Sequence, residues 1–368
     1  MSGLREPPGL PRCLLSPAMN AAPQALRPVQ RWLITGCVLI ACMVAIGGIT
    51  RLTGSGLSIT EWKPIMGALP PLDEAQWQEA FEKYKRIPEY ALVNSHMDLA
   101  GFKRIFFWEY VHRNWGRLMG LVFIVPFALF LRRGLLKGWL LRRTIWIMVG
   151  GGAVASLGWF MVLSGLVDLR DANGQLLVSV SHFRLAIHLC AAFCVFGLVW
   201  WTVLDLRHGR AALRGDGTSA ARWMRILLLL LLVQIAYGAF TAGLDAGRIY
   251  NTWPLMNGSF MPENVRAFGD LVMDLTHHRD GVQFVHRNLA WLVAAAFIGA
   301  AVHHRRSAGM ERAWRWMVAA VLLQFVLGVL TLVTQVDLVL GVLHQLGALL
   351  LLATLLVALH GTGRTLRA

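Results

Sequence analysis

A chain of 368 residues that is 56% hydrophobic and only 15% charged, with a mean hydropathy of +0.55, is too apolar for a soluble globular domain. It reads as an all-α integral membrane protein. The formal net charge of +15 does not indicate nucleic acid, because the basic residues flank apolar runs in the manner of positive-inside topology.

Residues 1–30 are rich in Pro and Ala, lack apolar periodicity and read as a disordered tail. Arg5, Arg12 and Arg27 lie in it, but its prolines oppose an amphipathic presequence helix. That favours a bacterial plasma (inner) membrane over a mitochondrial one. Eight transmembrane spans follow, at 31–50, 109–131, 143–165, 183–204, 223–243, 283–302, 314–334 and 338–360. Each is near the roughly 20 residues that a bilayer requires. Arg132, Arg133, Lys137, Arg142 and Arg143, then Arg207, Arg210, Arg214 and Arg222, then Arg305, Arg306 and Arg312 mark alternate connections as cytoplasmic. Both termini are then cytoplasmic as well. The outer side carries two long loops, 51–108 and 244–282, and a short one near 166–182; residues 72–86 read as a short amphipathic helix lying over the membrane.

Five cysteines are present, Cys13, Cys37, Cys42, Cys190 and Cys194, none in the long outer loops, so no loop disulfide is expected. Cys190 and Cys194 are one turn apart near His188 and read as small buried helix residues, with a redox or ligand role as the alternative.

The chain repeats itself. Gly48 to Trp62 matches Gly238 to Trp253, and Glu109-Tyr110-Val111-His112-Arg113-Asn114 matches Gln283-Phe284-Val285-His286-Arg287-Asn288. Each copy then has an unmarked span and a span with one further histidine, His188 or His344. Two four-helix halves result, 31–210 and 211–368, both with the same membrane orientation and so related by a parallel repeat.

A lone histidine in a membrane helix is usually satisfied by a neighbour. Here His112 and His188 fall at similar depth near the outer face, and His286 and His344 do so again. Two histidines facing across a bundle supply both axial ligands of a haem iron. Zinc is the rival, but it takes three or four protein ligands. His96, His182, His277 and His278 near the outer loops, and His208, His303, His304 and His360 at inner ends, read as solvated. Arg113, Arg287, Arg51 and Arg184 are candidates to pair with haem propionates, or else to anchor helices at the headgroups. Trp62 and Trp253 are placed to cover the sites. Only the first half has a carboxylate, Glu109, one turn from its histidine. It reads either as a cap on a helix N-terminus or as an acid/base or charge-stabilising group.

Gly47 to Ser58 (Gly-Gly-Ile-Thr-Arg-Leu-Thr-Gly-Ser-Gly-Leu-Ser), Glu61-Trp62-Lys63-Pro64, Glu109 to Arg113, Arg184 to His188, Asn251 to Met256 and Phe284 to Arg287 together resemble the haem A synthase family, over nearly the whole chain from residue 30. The resemblance implies oxidation of a porphyrin methyl group of haem O to a formyl group, giving haem A for terminal oxidases, with water as oxygen source. It places the substrate haem O on His112 and His188, haem b on His286 and His344, and the catalytic carboxylate at Glu109. Some members carry a cysteine pair in the first outer loop; this chain has none there, which places it in the cysteine-free subgroup. The partners implied are haem O, membrane lipid, haem O synthase and cytochrome oxidase assembly factors, and a homo-oligomer is compatible with the pattern. The rival readings are a dihaem b-type, quinone-linked electron carrier and a haem transporter.

Overall fold

The computed structural model describes residues 24–63, 66–166, 180–213, 215–304 and 311–363. The expected disordered tail, residues 1–30, is shorter at its C-terminal end, because Gln24–Leu26 form a 3-10 turn and Arg27 opens the first helix; residues 1–23 and most of the short outer loop lie outside the described residues. Eleven α-helices occur among these: α1 Arg27–Leu52, α2 Glu74–Tyr84, α3 Pro88–Leu92, α4 Leu99–Arg132, α5 Gly138–Leu166, α6 His182–His208, α7 Ser219–Gly243, α8 Leu271–Thr276, α9 Arg279–His303, α10 Glu311–Val333 and α11 Leu338–Thr362. Eight of them, α1, α4, α5, α6, α7, α9, α10 and α11, are long and apolar enough to cross a membrane. No strand forms among the described residues; Met256 and Ser259 make an isolated bridge.

Two closed sets of four helices emerge from the packing. α1 packs on α4 and α6, and α5 closes the ring between α4 and α6. α7 packs on α9 and α11, and α10 closes the second ring between α9 and α11. α1, α6, α7 and α11 meet between the rings and share a core that includes Leu33, Phe193, Val199, Leu227, Leu355 and Leu359. Polar contacts pin the rings together at both ends. At the end that carries the two long loops Arg51 donates from Nη2 to the carbonyl of Ala242 at 2.6 Å and pairs with Asp245 at 3.0 Å. At the inner end His360 on α11 meets Asp205 on α6 at 3.0 Å.

Several expectations from the sequence change. α4 starts at Leu99, ten residues before the expected boundary at Glu109, and its N-terminus is capped by Asp98, whose carboxylate accepts from the Gly101 amide at 2.7 Å. The amphipathic helix is α2, capped by Asp73. Its apolar face is taken up by protein: Phe81 and Tyr84 pack with Phe102 and Phe106 of the α4 extension and with Leu57, in a small core of their own. His360 and His304 are not solvated but buried, His304 stacked on Trp314 with ring centroids 5.6 Å apart. His182 is half-buried and contacts the Thr276 carbonyl at 2.9 Å. Cys194 is exposed on the flank of α6, contrary to its reading as buried.

Candidate functional site: two histidine pairs under pinned outer loops

The four histidines project from α4, α6, α9 and α11, and each meets a glycine on the neighbouring helix. A Cβ at Gly47 on α1 would stand 3.5 Å from Nε2 of His112, and one at Gly158 on α5 would stand 3.0 Å from Cε1 of His188. In the second half a Cβ at Gly238 on α7 would be 3.1 Å from Cε1 of His286, and one at Gly328 on α10 would be 2.9 Å from Cε1 of His344. These contacts also reset the repeat by one residue. Gly47, not Gly48, is the counterpart of Gly238, so the stretch to Trp62 and the stretch to Trp253 are of equal length.

The rings of His286 and His344 lie 6.5 Å apart between centroids, with planes at 86°. Imidazole–metal bonds run about 2 Å, so a metal shared by two imidazoles holds their centroids about 6 to 7 Å apart. The second-half pair therefore already has the spacing of a two-histidine metal centre. His112 and His188 lie within electrostatic reach of one another across the first half. All four rings are only half-buried although they belong to helices of the bundles, and Nδ1 of His286 and of His344 is buried without a hydrogen-bond partner. Accessible ring edges, unpaired nitrogens and glycine cradles fit an axially ligated haem. Among the described residues no group of three or more His, Cys, Asp or Glu is placed to hold a metal, which a zinc site would need.

Above the histidines the two halves are built alike and differ in one residue type. Arg113 donates to the carbonyls of Ile59 at 2.6 Å and Glu61 at 2.9 Å. Arg287 donates to the carbonyls of Tyr250 at 3.2 Å and Thr252 at 2.8 Å, the counterparts of Ile59 and Glu61, and also to those of Pro254 and Leu255 at 3.2 Å. Each arginine thus ties its outer loop to the helix that carries the histidine. Trp62 lies against Trp159 with centroids 4.9 Å apart and planes tilted by 39°, and Trp253 stacks on Trp291 at 5.8 Å. Arg51 is spent on the contact between halves, and Arg184 donates to the Phe160 carbonyl at 2.8 Å with its guanidinium over the Phe160 ring.

The difference is the residue three before each histidine. Glu109 is 2% exposed and accepts on every side: Oε2 from the Ser58 hydroxyl at 2.7 Å and the Ile59 amide at 2.8 Å, Oε1 from Arg113 Nη2 at 2.6 Å and Nε at 3.0 Å. Gln283, equally buried, instead donates from Nε2 to the Tyr250 carbonyl at 3.2 Å and leaves Oε1 unpaired. The cap reading of Glu109 fails, since the helix begins ten residues earlier under Asp98. Four donors around one carboxylate satisfy both its oxygens and fix its position.

The sequence reading passed over two features. One is the four seat glycines, which only the helix pairing reveals. The other is a set of glutamines in the second half, Gln234, Gln283, Gln324 and Gln345, where the first half has Met43, Glu109, Val154 and Leu189. Once the glycines set the register, a comparison of the two halves would have found both.

Fold and site together define a multi-pass helical membrane protein built from two histidine-paired four-helix rings. The chain belongs to the COX15-CtaA family, described as cytochrome oxidase assembly protein, whose model matches residues 30–356. It is similar to a protein named heme A synthase from Flavobacterium psychrophilum, 44% identical over 337 residues that cover 89% of this chain and 96% of that protein. Two further proteins of that name are similar at 42% identity. The one from Paramagnetospirillum magneticum covers 92% of this chain and 95% of its own length. The one from Paracoccus denitrificans covers 90% and 87%.

Proposed function

We propose that the chain is a haem A synthase that oxidises a porphyrin methyl of haem O to a formyl group in the first half, and that its second half keeps a haem b. The observation that carries this reading is the buried carboxylate beside one histidine and the amide at the equivalent place in the other half: Glu109 clamped by Arg113, against Gln283 beside Arg287. A plain dihaem carrier has no use for that asymmetry. The three relatives' shared name supports the same activity.

His112 and His188 would hold the substrate's iron, and His286 and His344 that of haem b, which supplies one-electron transfer when bound. The methyl would be oxidised in two two-electron steps, to an alcohol and then to a geminal diol, each taking its oxygen from water, releasing two protons and passing two electrons to an external one-electron acceptor, and the diol then loses water to the aldehyde. Each oxidation withdraws an electron pair, so positive charge builds on the methyl carbon. Glu109 is suited to oppose that charge. Its four donors hold it in a fixed position, the preorganisation that electrostatic stabilisation requires. Arg113 positions that carboxylate and also holds residues 59–61, and with Trp62 the loop limits water at the site.

The chain would lie in the bacterial plasma membrane with both termini inside. Reporter fusions after residues 138 and 212 should read as cytoplasmic and those after 75 and 265 as external. The activity is tested by mass spectrometry of haems extracted from membranes of a haem O-producing host with and without the protein. Haem A should appear only with it; unchanged haem O beside bound haem b would replace the synthase by an electron carrier.

A further inference from the structure

We propose that the glycine beside three of the ligand rings, those of His188, His286 and His344, and the backbone carbonyl one helical turn before it form a seat that sets the tautomer and orientation of the imidazole. The inference rests on the haem-ligand roles just proposed. In an α-helix the carbonyl of residue i−4 accepts the amide of residue i. A side chain at residue i covers that carbonyl from the outside, and glycine leaves it open to a second donor. His188 shows the complete arrangement. Its ring lies against Gly158, and its Nδ1 is 3.1 Å from the carbonyl of Val154, four residues earlier. Nδ1–H donates there, which leaves the Nε2 lone pair for a metal.

The second half repeats the arrangement. His286 lies against Gly238 and faces the backbone of Gln234; His344 lies against Gly328 and faces the backbone of Gln324. Both glycine-to-carbonyl intervals are again four residues. Neither Nδ1 closes a hydrogen bond of good geometry. The buried Oε1 atoms of Gln234 and Gln324 are unpaired in the same places, so each second-half seat offers an additional acceptor that Met43 and Val154 do not provide. His112 differs: it turns Nε2, not Cε1, toward its glycine.

The seat predicts a spectroscopic signature, because an acceptor on Nδ1–H makes the imidazole a stronger donor to iron and favours the ferric state. A methyl at Gly238 or Gly328 must push the ring off its carbonyl, since the contacts of 3.1 and 2.9 Å are too short for a Cβ. The test uses purified holo-protein carrying Gly238→Ala, Gly328→Ala or either of two control changes. A Cβ at Gly341, one turn before His344 on α11, meets Leu52 and Val336 and no histidine ring, and one at Gly299 meets nothing within 4 Å. Haem content, the low-spin ferric EPR signal and the haem midpoint potential are measured for each.

For Gly238→Ala and Gly328→Ala the EPR signal should shift and the midpoint rise, with the reduced-to-oxidised ratio at fixed potential changing by up to about tenfold, or ~59 mV for one electron. Gly299→Ala should match the parent, and Gly341→Ala should lower thermal stability with an unchanged spectrum. Loss of haem in the seat variants alone also supports the seat. Equal haem loss in Gly341→Ala, or parental EPR and midpoint in both seat variants, overturns it. Retention of haem b by His286→Ala and His344→Ala would sink the ligand assignment itself, and is read separately.

Discussion

Arg113 grips Glu109 with two N–H groups of its guanidinium, Nη2 at 2.6 Å and Nε at 3.0 Å, one turn apart on the same helix. The same guanidinium reaches the carbonyls of Ile59 and Glu61. One side chain therefore fixes both the buried carboxylate that stands where the second half has Gln283 and the loop above it. Lysine carries the charge but lacks the planar fork.

Arg113→Lys should keep the ion pair with Glu109 and lose the loop carbonyls. The partly buried Ile59 carbonyl left unpaired costs about 1–3 kcal/mol, whereas the exposed Glu61 carbonyl is taken up by water. The loop at 59–63 should become sensitive to limited proteolysis, and haem A formation should fall while haem b content stays at the parental level. Arg287→Lys should open residues 250–255 instead, leaving the first loop protected. Equal protease resistance of parent and Arg113→Lys would remove the pinning role.

Asp205 ties three helices at the inner end. It accepts from the Ala211 amide at 3.1 Å, meets His360 at 3.0 Å and lies 3.5 Å from Arg143. Removing one member of a buried charged cluster typically costs about 3–5 kcal/mol. Asp205→Ala should lower thermal stability in detergent by an amount of that order, and the folded fraction should still bind haem normally, because the cluster is at the opposite end from the histidines. A melting temperature equal to the parent's would show that the cluster does not join the halves energetically.

Glu89 in α3 gives a pH dependence. Burial pushes its carboxyl up to about 7 from the ordinary 4.5, the charge of Glu109 adds to the rise, and the Tyr84 hydroxyl bond and Arg51 oppose it. The folded state then holds this proton more tightly than the unfolded chain. Its stabilising contribution is complete below about 4.5 and is lost as pH rises through 7. Glu89→Gln, which stays neutral and can still accept from Tyr84, should gain stability relative to the parent between these pH values and keep a constant advantage above. Melting curves at pH 5 and pH 7.5 check this; parallel changes in both proteins would refute the assignment.

The eight spans, the histidines and the repeat were legible because apolar length and motif recurrence are properties of the chain itself. The start of α4 was not. Residues 99–108 contain Lys103 and Arg104, so hydropathy placed the boundary where the charges end, whereas Phe102 and Phe106 carry the helix outward under α2. The inner cluster was equally hidden: Asp205 and His360 are 155 residues apart, and a histidine at a span end reads as solvated until its partner is seen. The seat glycines escaped because glycine is common in membrane helices, and only the facing ring gives it a role.

Glu109→Gln is the sharpest test of the proposed chemistry. The amide is nearly the same size, and the second half already accommodates Gln283 at the equivalent place, donating to the Tyr250 carbonyl. Folding, membrane insertion and haem binding should therefore survive. What is lost is the negative charge facing Arg113 and the developing positive charge on the substrate methyl. Removal of one preorganised electrostatic partner typically costs about 100- to 1,000-fold in rate, so haem A formation should drop by that order, with haem O or the partly oxidised alcohol left in extracts. Arg113 also has no carboxylate in this variant and should turn to the loop carbonyls as Arg287 does. Adding Arg113→Gln should then restore little activity, because the missing element is the charge and not the pairing. Quantitative haem extraction from membranes holding equal amounts of each variant gives the answer: haem A at near the parental rate in Glu109→Gln would reduce Glu109 to a holder of the 58–61 loop.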